Sequence, residues 1–538
     1  MEFDYIIVGA GSAGCVLAER LSAKGQRVLV LEAGGSDARF WIKLPLGYGY
    51  TFNDPKVNWR YTAEPDAGLN NRAAYWPRGR VIGGSSSINA MAYVRGLPHD
   101  FNDWEQAGAK GWNWGTVRQT YEKMESNSEK GADGKMRIRG NGPVRVSDLR
   151  KNMHPFSERF LDVARDLGWD VLDNMNGTSF EGISYYRSTV RNGIRHSAAD
   201  AFLRPAMKRS GVKVVRGALV EKVEIENNKA TGVWYRLGGK RLFARAKGEV
   251  ILSAGAVNSP QVLQLSGVGP AALLKQHGIA VKADLSQVGQ GLQDHLAITH
   301  HYAANEPTLN NRLGKLYGRM TAGLEYASRR SGPLGVPVNQ VGGFVRSDAS
   351  RHAPDMQIYC NPASYGMTAD GKPDMGPAPG FILSAQPCRP TSRGQINIVS
   401  GDPMDAPKIE PNSLSTEKDI DDVLRASRLV QAMAATPTVK RVMKAVKAPD
   451  ISQMNDAELI ENFRARASTV FHPTCTCRMG ESATDSVLDA RLRVHGIDGL
   501  RVVDASAFPN LTSGNTNAPT LMLAMRAADL ILADAAKG

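Results

Sequence analysis

The chain has 538 residues, 42% hydrophobic and 22% charged, the balance of a globular protein with room for two or three domains. Its 66 Lys and Arg against 53 Asp and Glu give a net charge of +13, but the basic residues are scattered without interleaved aromatics, so nucleic acid is not an expected partner. No apolar run approaches the ~18 residues that span a bilayer, and five dispersed cysteines exclude a disulfide framework.

The first 33 residues carry the strongest pattern. Tyr5–Val8 is an apolar run suited to a strand buried on both faces. Gly9-Ala10-Gly11-Ser12-Ala13-Gly14 follows, then Cys15, Val16, Leu17, Ala18 and Leu21 at helical spacing, with Gly25 to close the helix. Val28–Leu31 is a second strand ending at Glu32. Gly9 permits a tight turn, Gly11 lets backbone approach a pyrophosphate, and Gly14 allows the helix to pack on the strand. The helix N-terminus offers free N–H groups to phosphate. Glu32 stands about 20 residues on, where a carboxylate meets ribose hydroxyls. The pattern predicts dinucleotide binding and leaves NAD and FAD equally open. A strand starting this close to Met1, with Glu2 and Asp4 nearby, is no signal peptide, and the expected location is the cytoplasm or the inner face of a membrane. A basic surface suits contact with an anionic membrane or an acidic redox partner, solubility being the plainer reading.

Residues 36–80 show little periodicity, and long ordered loops are usually functional. They end in Arg78 to Ser87, where a double glycine and three serines can turn several N–H groups toward one point. Residues 101–125 read as interrupted helix with Trp104, Trp112 and Trp114 packed inside, and 155–168 as an amphipathic helix. Strands are expected at 212–215 and 218–225, with a hairpin turn at 226–228, and again from Gly248 to Ala256. The block 300–460 carries strands near 339–345, 355–360, 381–386 and 395–399 and helices near 416–434 and 456–467. Asn361–Gly380 reads as a mobile loop. Leu500–Ala505 is a strand ending in Asp504, and Gly514–Thr520 opens a last helix, with Asn517 and Pro519 suited to its first turn. No spacing of His, Cys, Asp or Glu suggests a metal site; Cys475 and Cys477 read as buried thiols.

Four stretches together resemble the glucose–methanol–choline (GMC) oxidoreductases over nearly the whole length: Gly79–Asn89, Gly255–Gly269, Phe471–Gly480, and Val503–Ser506 with Gly514–Asn517. The resemblance implies an α/β fold. A Rossmann-like FAD-binding domain would comprise 1–155, 190–297 and 465–538. A discontinuous substrate-binding domain, an antiparallel sheet flanked by helices, would comprise 156–189 and 298–464. It implies that Gly9, Gly11, Ser12, Ala13, Gly14, Glu32 and Ala33 hold the ADP half of FAD, with Val220 at the adenine. Trp59, Gly79, Val81, Gly84, Ser85, Asn89, Ala90, Met91, Ala92 and Ala254 would follow the pyrophosphate and the ring. Asp504, Ala505, Asn515, Thr516 and Asn517 would take the ribityl chain and the pyrimidine edge. Relatives with covalent flavin carry His where this chain has Ile88, so the FAD is expected to be non-covalent.

His472 and Asn515 resemble the family's catalytic pair. Oxidising an alcohol removes a proton from oxygen and a hydride from carbon; His is the usual base near neutral pH, and an amide can hydrogen-bond the developing alkoxide. His295 reads as structural. Choline enzymes carry a Glu where Gln340 precedes Val341-Gly342-Gly343-Phe344, and a neutral Gln there disfavours a cationic substrate. Phe471–Cys477 and Ser331-Gly332-Pro333 resemble the sorbose dehydrogenases, so a sugar or polyol primary hydroxyl is the first expectation. An aliphatic or polyethylene-glycol alcohol is the runner-up, with choline, an O2-using oxidase and a hydroxynitrile lyase as alternatives. A quinone-like acceptor is expected by resemblance alone.

Overall fold

The computed structural model describes residues 2–130, 136–368, 372–447 and 449–537. Its fold is α/β, built on two seven-stranded sheets. In the first, β1 (Glu2–Val8) and β2 (Val28–Glu32) flank the helix α1 (Ser12–Ser22) in sequence. The chain returns with β3 (Val212–Arg216), β4 (Leu219–Glu226), β5 (Lys229–Leu237) and β6 (Lys240–Leu252), and finally β7 (Leu500–Val502) and the helix α2 (Asn517–Ala535). The order is β3-β2-β1-β6-β5-β4, with β7 also on β6. Pairs β3–β2, β2–β1, β1–β6 and β6–β7 are parallel, while β4–β5–β6 is an antiparallel meander.

The parallel part explains the apolar runs of β1 and β2. Ile6, Ile7, Val28 and Val30 are fully buried, as central strands covered on both faces require. Helices α1 and α2 pack together on this sheet. Gly14 sits where α1 crosses β1: a Cβ there would lie 1.9 Å from the Gly9 carbonyl oxygen. Arg501, on β7, is a long charged side chain buried within this domain. Its guanidinium pairs with Glu249 at 2.7 Å and Asp534 at 2.8 Å, tying β7 and β6 to the end of α2.

The second sheet is antiparallel. Its order is Met443–Lys447, Leu296–Ala304, Gly380–Pro387, Met356–Asn361, Val341–Val345, Gly182–Tyr185, and Ser468–Thr469 adds to the start of Leu296–Ala304. Helices Ser157–Asp166 and Glu417–Ala435 cover it, with Phe160, Leu161, Val430 and Met433 in one core with Ile358 and Phe381. Within the expected loop Asn361–Gly380, Gly366–Met367 pairs with Pro373–Asp374, a short hairpin; 369–371 lie outside the described residues. Trp104 and Trp112 are fully buried and donate their indole N–H groups to the Asn510 and Ala490 carbonyls, both at 2.8 Å. All five cysteines are free and buried. No helix among the described residues is long and apolar enough to cross a membrane.

Gly14→Ala places a methyl group against unyielding backbone. We expect a loss of about 1–3 kcal/mol of stability or more, seen as a lower melting temperature with reduced flavin content in the purified protein.

Candidate active site

The C-terminal ends of the parallel strands and the second sheet enclose one cavity of about 1280 Å³, larger than the roughly 300–1,000 Å³ of ordinary small-molecule sites. Its wall can be followed through contacts. Glu32 at the end of β2 accepts from the Ala10 N–H at 2.9 Å and the Gly34 N–H at 2.8 Å. From Ala10 the glycine turn leads to Ser12, whose hydroxyl donates to Asn517 Oδ1 at 2.8 Å. Two residues back from Asn517, the Asn515 amide lies 3.2 Å from His472 Nε2.

The wall suits a dinucleotide. Helix α1 is capped by Gly11 and α2 by Thr516, neither with a side-chain hydrogen bond and neither with an acid in its first turn. Both N-termini line the cavity and offer N–H groups and positive dipole ends to phosphate and to an electron-rich ring edge. Gly84, at φ +53°, faces Gly11; a Cβ on it would lie 2.7 Å from the Gly11 Cα, so this narrow passage between two backbones needs glycine. The Glu32 carboxylate keeps acceptor capacity for hydroxyls beyond its two N–H partners. Burial raises its pKa to about 7, against the pull of the Gly34 and Ala10 N–H groups and Arg80. Trp59 is held under the Arg80 guanidinium, 4.6 Å from its ring.

Of the residues expected around the cofactor, Gly9, Gly11, Ser12, Ala13, Glu32, Ala33, Trp59, Gly79, Gly84, Ser85, Asn89, Ala90, Met91, Ala92, Val220, Ala254, Ala505, Asn515, Thr516 and Asn517 line the cavity. Gly14 does not; its place is the α1–β1 crossing. Val81 does not either: its side chain is fully buried with Ile42 and Val57. Asp504 reaches the wall, but its carboxylate already accepts from the Gly255 N–H, the Ser259 hydroxyl, and the Ser506 N–H and hydroxyl. These four donors use the capacity of a carboxylate, so Asp504 shapes the wall and has no free carboxylate lone pair to offer a ligand. Ile88 lines the cavity and brings no nucleophile to it.

At the inner end, the hydrogen bonds fix the protons on His472. His295 Nε2 lies 2.7 Å from the Cys388 carbonyl oxygen, which only accepts, so that nitrogen carries a proton. Burial lowers the His295 pKa to about 4; the ring is neutral, and its Nδ1 is an acceptor. His472 Nδ1 lies 3.0 Å from it and must donate. His472 is itself held neutral, its pKa well below 6.5 through burial first, then His295 and Arg78. Its Nε2 therefore presents a lone pair, toward Asn515. The Asn515 carbonyl faces the Gln357 amide at 3.5 Å, and Gln357, fully buried, also bonds Tyr186, Tyr359 and Gln386. The backbone N–H of His472 donates to the Asp294 carboxylate at 2.7 Å.

His295 and Gln357 are the residues that sequence reasoning missed at this centre. His295 stood in a family-like stretch, yet only its contact with His472 distinguishes it from a structural histidine. Gln357 lay in an expected strand, 355–360, in which nothing singled it out. Gln340 requires a correction. Its oxygen accepts from the His154 N–H at 2.9 Å and the Ser157 hydroxyl at 2.7 Å, behind the wall; Val338 and Asn339 face the cavity instead. Its neutrality therefore does not bear on the charge of a substrate. The lining does: Thr299, Val338, Asn339, Tyr359, Asn361, Ile382 and Ser384 carry no charge, and its charged residues among those described are Glu32, Asp405, Asp504, Arg60, Arg78, Arg80 and Arg319.

Fold and site together define a flavin-dependent oxidoreductase. GMC oxidoreductase family models match residues 3–297 and 390–524. The alcohol dehydrogenase (acceptor) of Pseudomonas putida is 42% identical over 537 residues, covering 98% of this chain and 96% of that protein. The oxygen-dependent choline dehydrogenase of Photobacterium profundum is 41% identical over 538 residues, covering 98% and 93%. Among solved structures, pyridoxine 4-oxidase from Mesorbium loti superposes with a TM-score of 0.87 at 29% identity, covering 98% of each chain. A formate oxidase from Aspergillus oryzae RIB40, studied for its FAD modification, gives 0.91 at 25%, covering 100% of this chain and 99% of that one. The chain belongs to the GMC oxidoreductases: an FAD enzyme acting on CH–OH donors. These relatives, alcohol and choline dehydrogenases, lend no support to the expected sorbose-like substrate.

Glu32→Ala removes the acceptor at the far end of the cavity while leaving the inner end intact. We expect FAD affinity to fall about tenfold or more, the loss of one to two charge-assisted hydrogen bonds, measured by flavin release on dilution. Reduction of the flavin that stays bound remains near normal.

Proposed function

We propose that this chain oxidises a neutral primary alcohol with a largely apolar tail and passes the electrons to a quinone-like acceptor. The observation that carries the proposal is the lone pair of His472 Nε2, 3.2 Å from the Asn515 amide, in a cavity also lined by Val338, Leu334, Met375 and Ile382. Those side chains suit an apolar tail, and none of the residues just named offers a counter-charge to a cation. The P. putida relative's name, which gives an alcohol as donor and an unspecified acceptor, supports the same reading.

Bound FAD supplies the hydride acceptor. The residues of this chain position the alcohol and manage its proton. The hydroxyl enters between His472 and Asn515 and donates to His472 Nε2; the Asn515 amide turns to the hydroxyl oxygen. Proton transfer to Nε2 leaves negative charge on that oxygen as the C–H bond weakens, and the Asn515 N–H stabilises it. The Nδ1 proton stays on its bond to His295, so the ring does not rotate as its charge changes. His295 is thus a positioning residue, and Gln357 does the same for Asn515.

The decisive experiment is anaerobic flavin reduction with octanol, choline and sorbose compared, followed by reoxidation with a quinone analogue or with air. Octanol is expected to bleach the flavin fastest and the quinone to restore it faster than oxygen. Faster bleaching by sorbose or choline overturns the substrate, and peroxide formed at the rate of alcohol consumption overturns the acceptor. His472→Ala should slow reduction by about 10²–10⁴ and Asn515→Ala by about 10²–10³, with FAD retained in both.

Because His472 is neutral with its pKa below 6.5, the reduction rate should be flat at pH 6.5 and above and fall only on the acid side. His295→Leu removes the acceptor that holds the His472 Nδ1 proton and frees the ring's orientation. The plateau should then fall by up to about a hundredfold, and His295→Gln, whose amide oxygen can accept the same proton, should recover much of it; a purely structural role would not separate the two variants.

A further inference from the structure

The helix Leu316–Arg329 leaves its apolar side uncovered. Leu316, Tyr317, Met320 and Leu324 are 76%, 79%, 60% and 70% exposed, and their spacing puts them on one stripe about 100° wide. Ala322 and Tyr326, on the other side, are buried. The helix stands at the mouth of the cavity: Arg319 in its first turns lines it. Phe40, Trp41 and Tyr50 are 61%, 43% and 41% exposed, with Trp41 stacked on Tyr50 at 4.1 Å. These three also line the cavity. Exposed apolar area of this extent, grouped round one opening, marks a contact surface.

The charges around it select the partner. Lys315, Arg319, Arg329 and Arg330 are exposed, and among the described residues none is paired with a carboxylate. Glu325, the helix's acid, is taken by Arg312. A second copy of the chain, docking face to face, would bring like charges together. An anionic bilayer offers the opposite charge to the basic rim and an apolar interior to the stripe, with Trp and Tyr at the depth they favour. We propose that this face, the helix Leu316–Arg329 with the Phe40–Trp41–Tyr50 cluster, docks on an anionic lipid surface. The helix lies in the plane of the interface and the cavity mouth opens against the lipid. Apolar alcohols and quinones concentrate in that layer, so docking brings the mouth to its reactants.

The test uses the FAD-loaded full chain and flotation with vesicles of phosphatidylcholine alone or mixed with phosphatidylglycerol. The protein is expected to float with the anionic vesicles, less with the neutral ones, and to be released by added salt. The double variant Leu316→Glu and Leu324→Glu, neither residue lining the cavity, should cut the bound fraction by about tenfold or more. Its flavin should still be reduced normally by a soluble short-chain alcohol. Failure to bind anionic vesicles overturns the proposal, as does binding that the double variant leaves unchanged. So does a dimer in gel filtration that the double variant dissociates while vesicles stay unbound, since the stripe would then be a subunit contact. Binding is read without turnover, so its failure leaves the proposed chemistry standing.

Discussion

One carbonyl oxygen sets the protonation of the centre. The Cys388 carbonyl, just past the strand Gly380–Pro387, accepts from His295 Nε2 and so decides which nitrogen of His295 is bare. That nitrogen decides which side of His472 carries the proton, and the other side faces Asn515. Each link is buried, and burial holds both rings neutral; in water either ring would exchange tautomers freely. The chain of bonds also crosses the fold. Cys388 follows a strand of the antiparallel sheet, while His472 and Asn515 are held by the segments that close the nucleotide cavity. The site exists only where the two sheets meet, and neither alone fixes it.

The cavity depends on the chain returning to its start. Ser12, at the N-terminus of α1, bonds Asn517 at the N-terminus of α2, 505 residues later. Asp504 makes the second closure, joining the end of β7 to the start of the helix Gly255–Leu265 through Gly255 and Ser259. Two helix N-termini aim at one space because their strands, β1 and β7, lie in parallel on either side of β6. Parallel strands put equivalent ends on the same edge, the geometry that gathers ligands in doubly wound sheets.

Much of this was legible in residue order. The β1–α1–β2 unit has strict periodicities and glycines with separate steric roles, so its elements and its ligand class could be read directly. The meander after residue 212 and the last helix carried turn and cap signals of their own. Legibility failed where direction mattered more than position. Val81 and Gln340 sit in stretches that border the cavity, but a side chain one step along an extended backbone points to the opposite face. Asp504 lines the cavity, yet nothing in the order of residues tells that four local donors will saturate its carboxylate. His295 and His472 are 177 residues apart, and a contact of that range has no local signature.

His472 itself lies on a loop rather than on a helix or strand, and the backbone around it explains how a loop can be exact. Phe471 and Cys475 adopt left-handed conformations, with φ +69° and +73°, which for side chains of their size cost of order 1–3 kcal/mol each. Such a path persists only if its surroundings overdetermine it. They do: Arg78 donates to the Phe471 carbonyl at 2.5 Å, the Cys475 N–H donates to the Ala505 carbonyl at 3.2 Å, and Asp294 accepts from the N–H groups of His472 and His295 and from the Thr469 hydroxyl. Burial lifts the Asp294 pKa to about 6, while these donors and Arg78 pull it down, so the ionised carboxylate that pins the loop is itself maintained by the loop's own hydrogen bonds. A regular helix would have presented residue 472 with its neighbours at fixed steps of about 100°. The strained loop lets one ring address His295 with Nδ1 and Asn515 with Nε2 at the same time, the relation on which the proposed proton transfer rests.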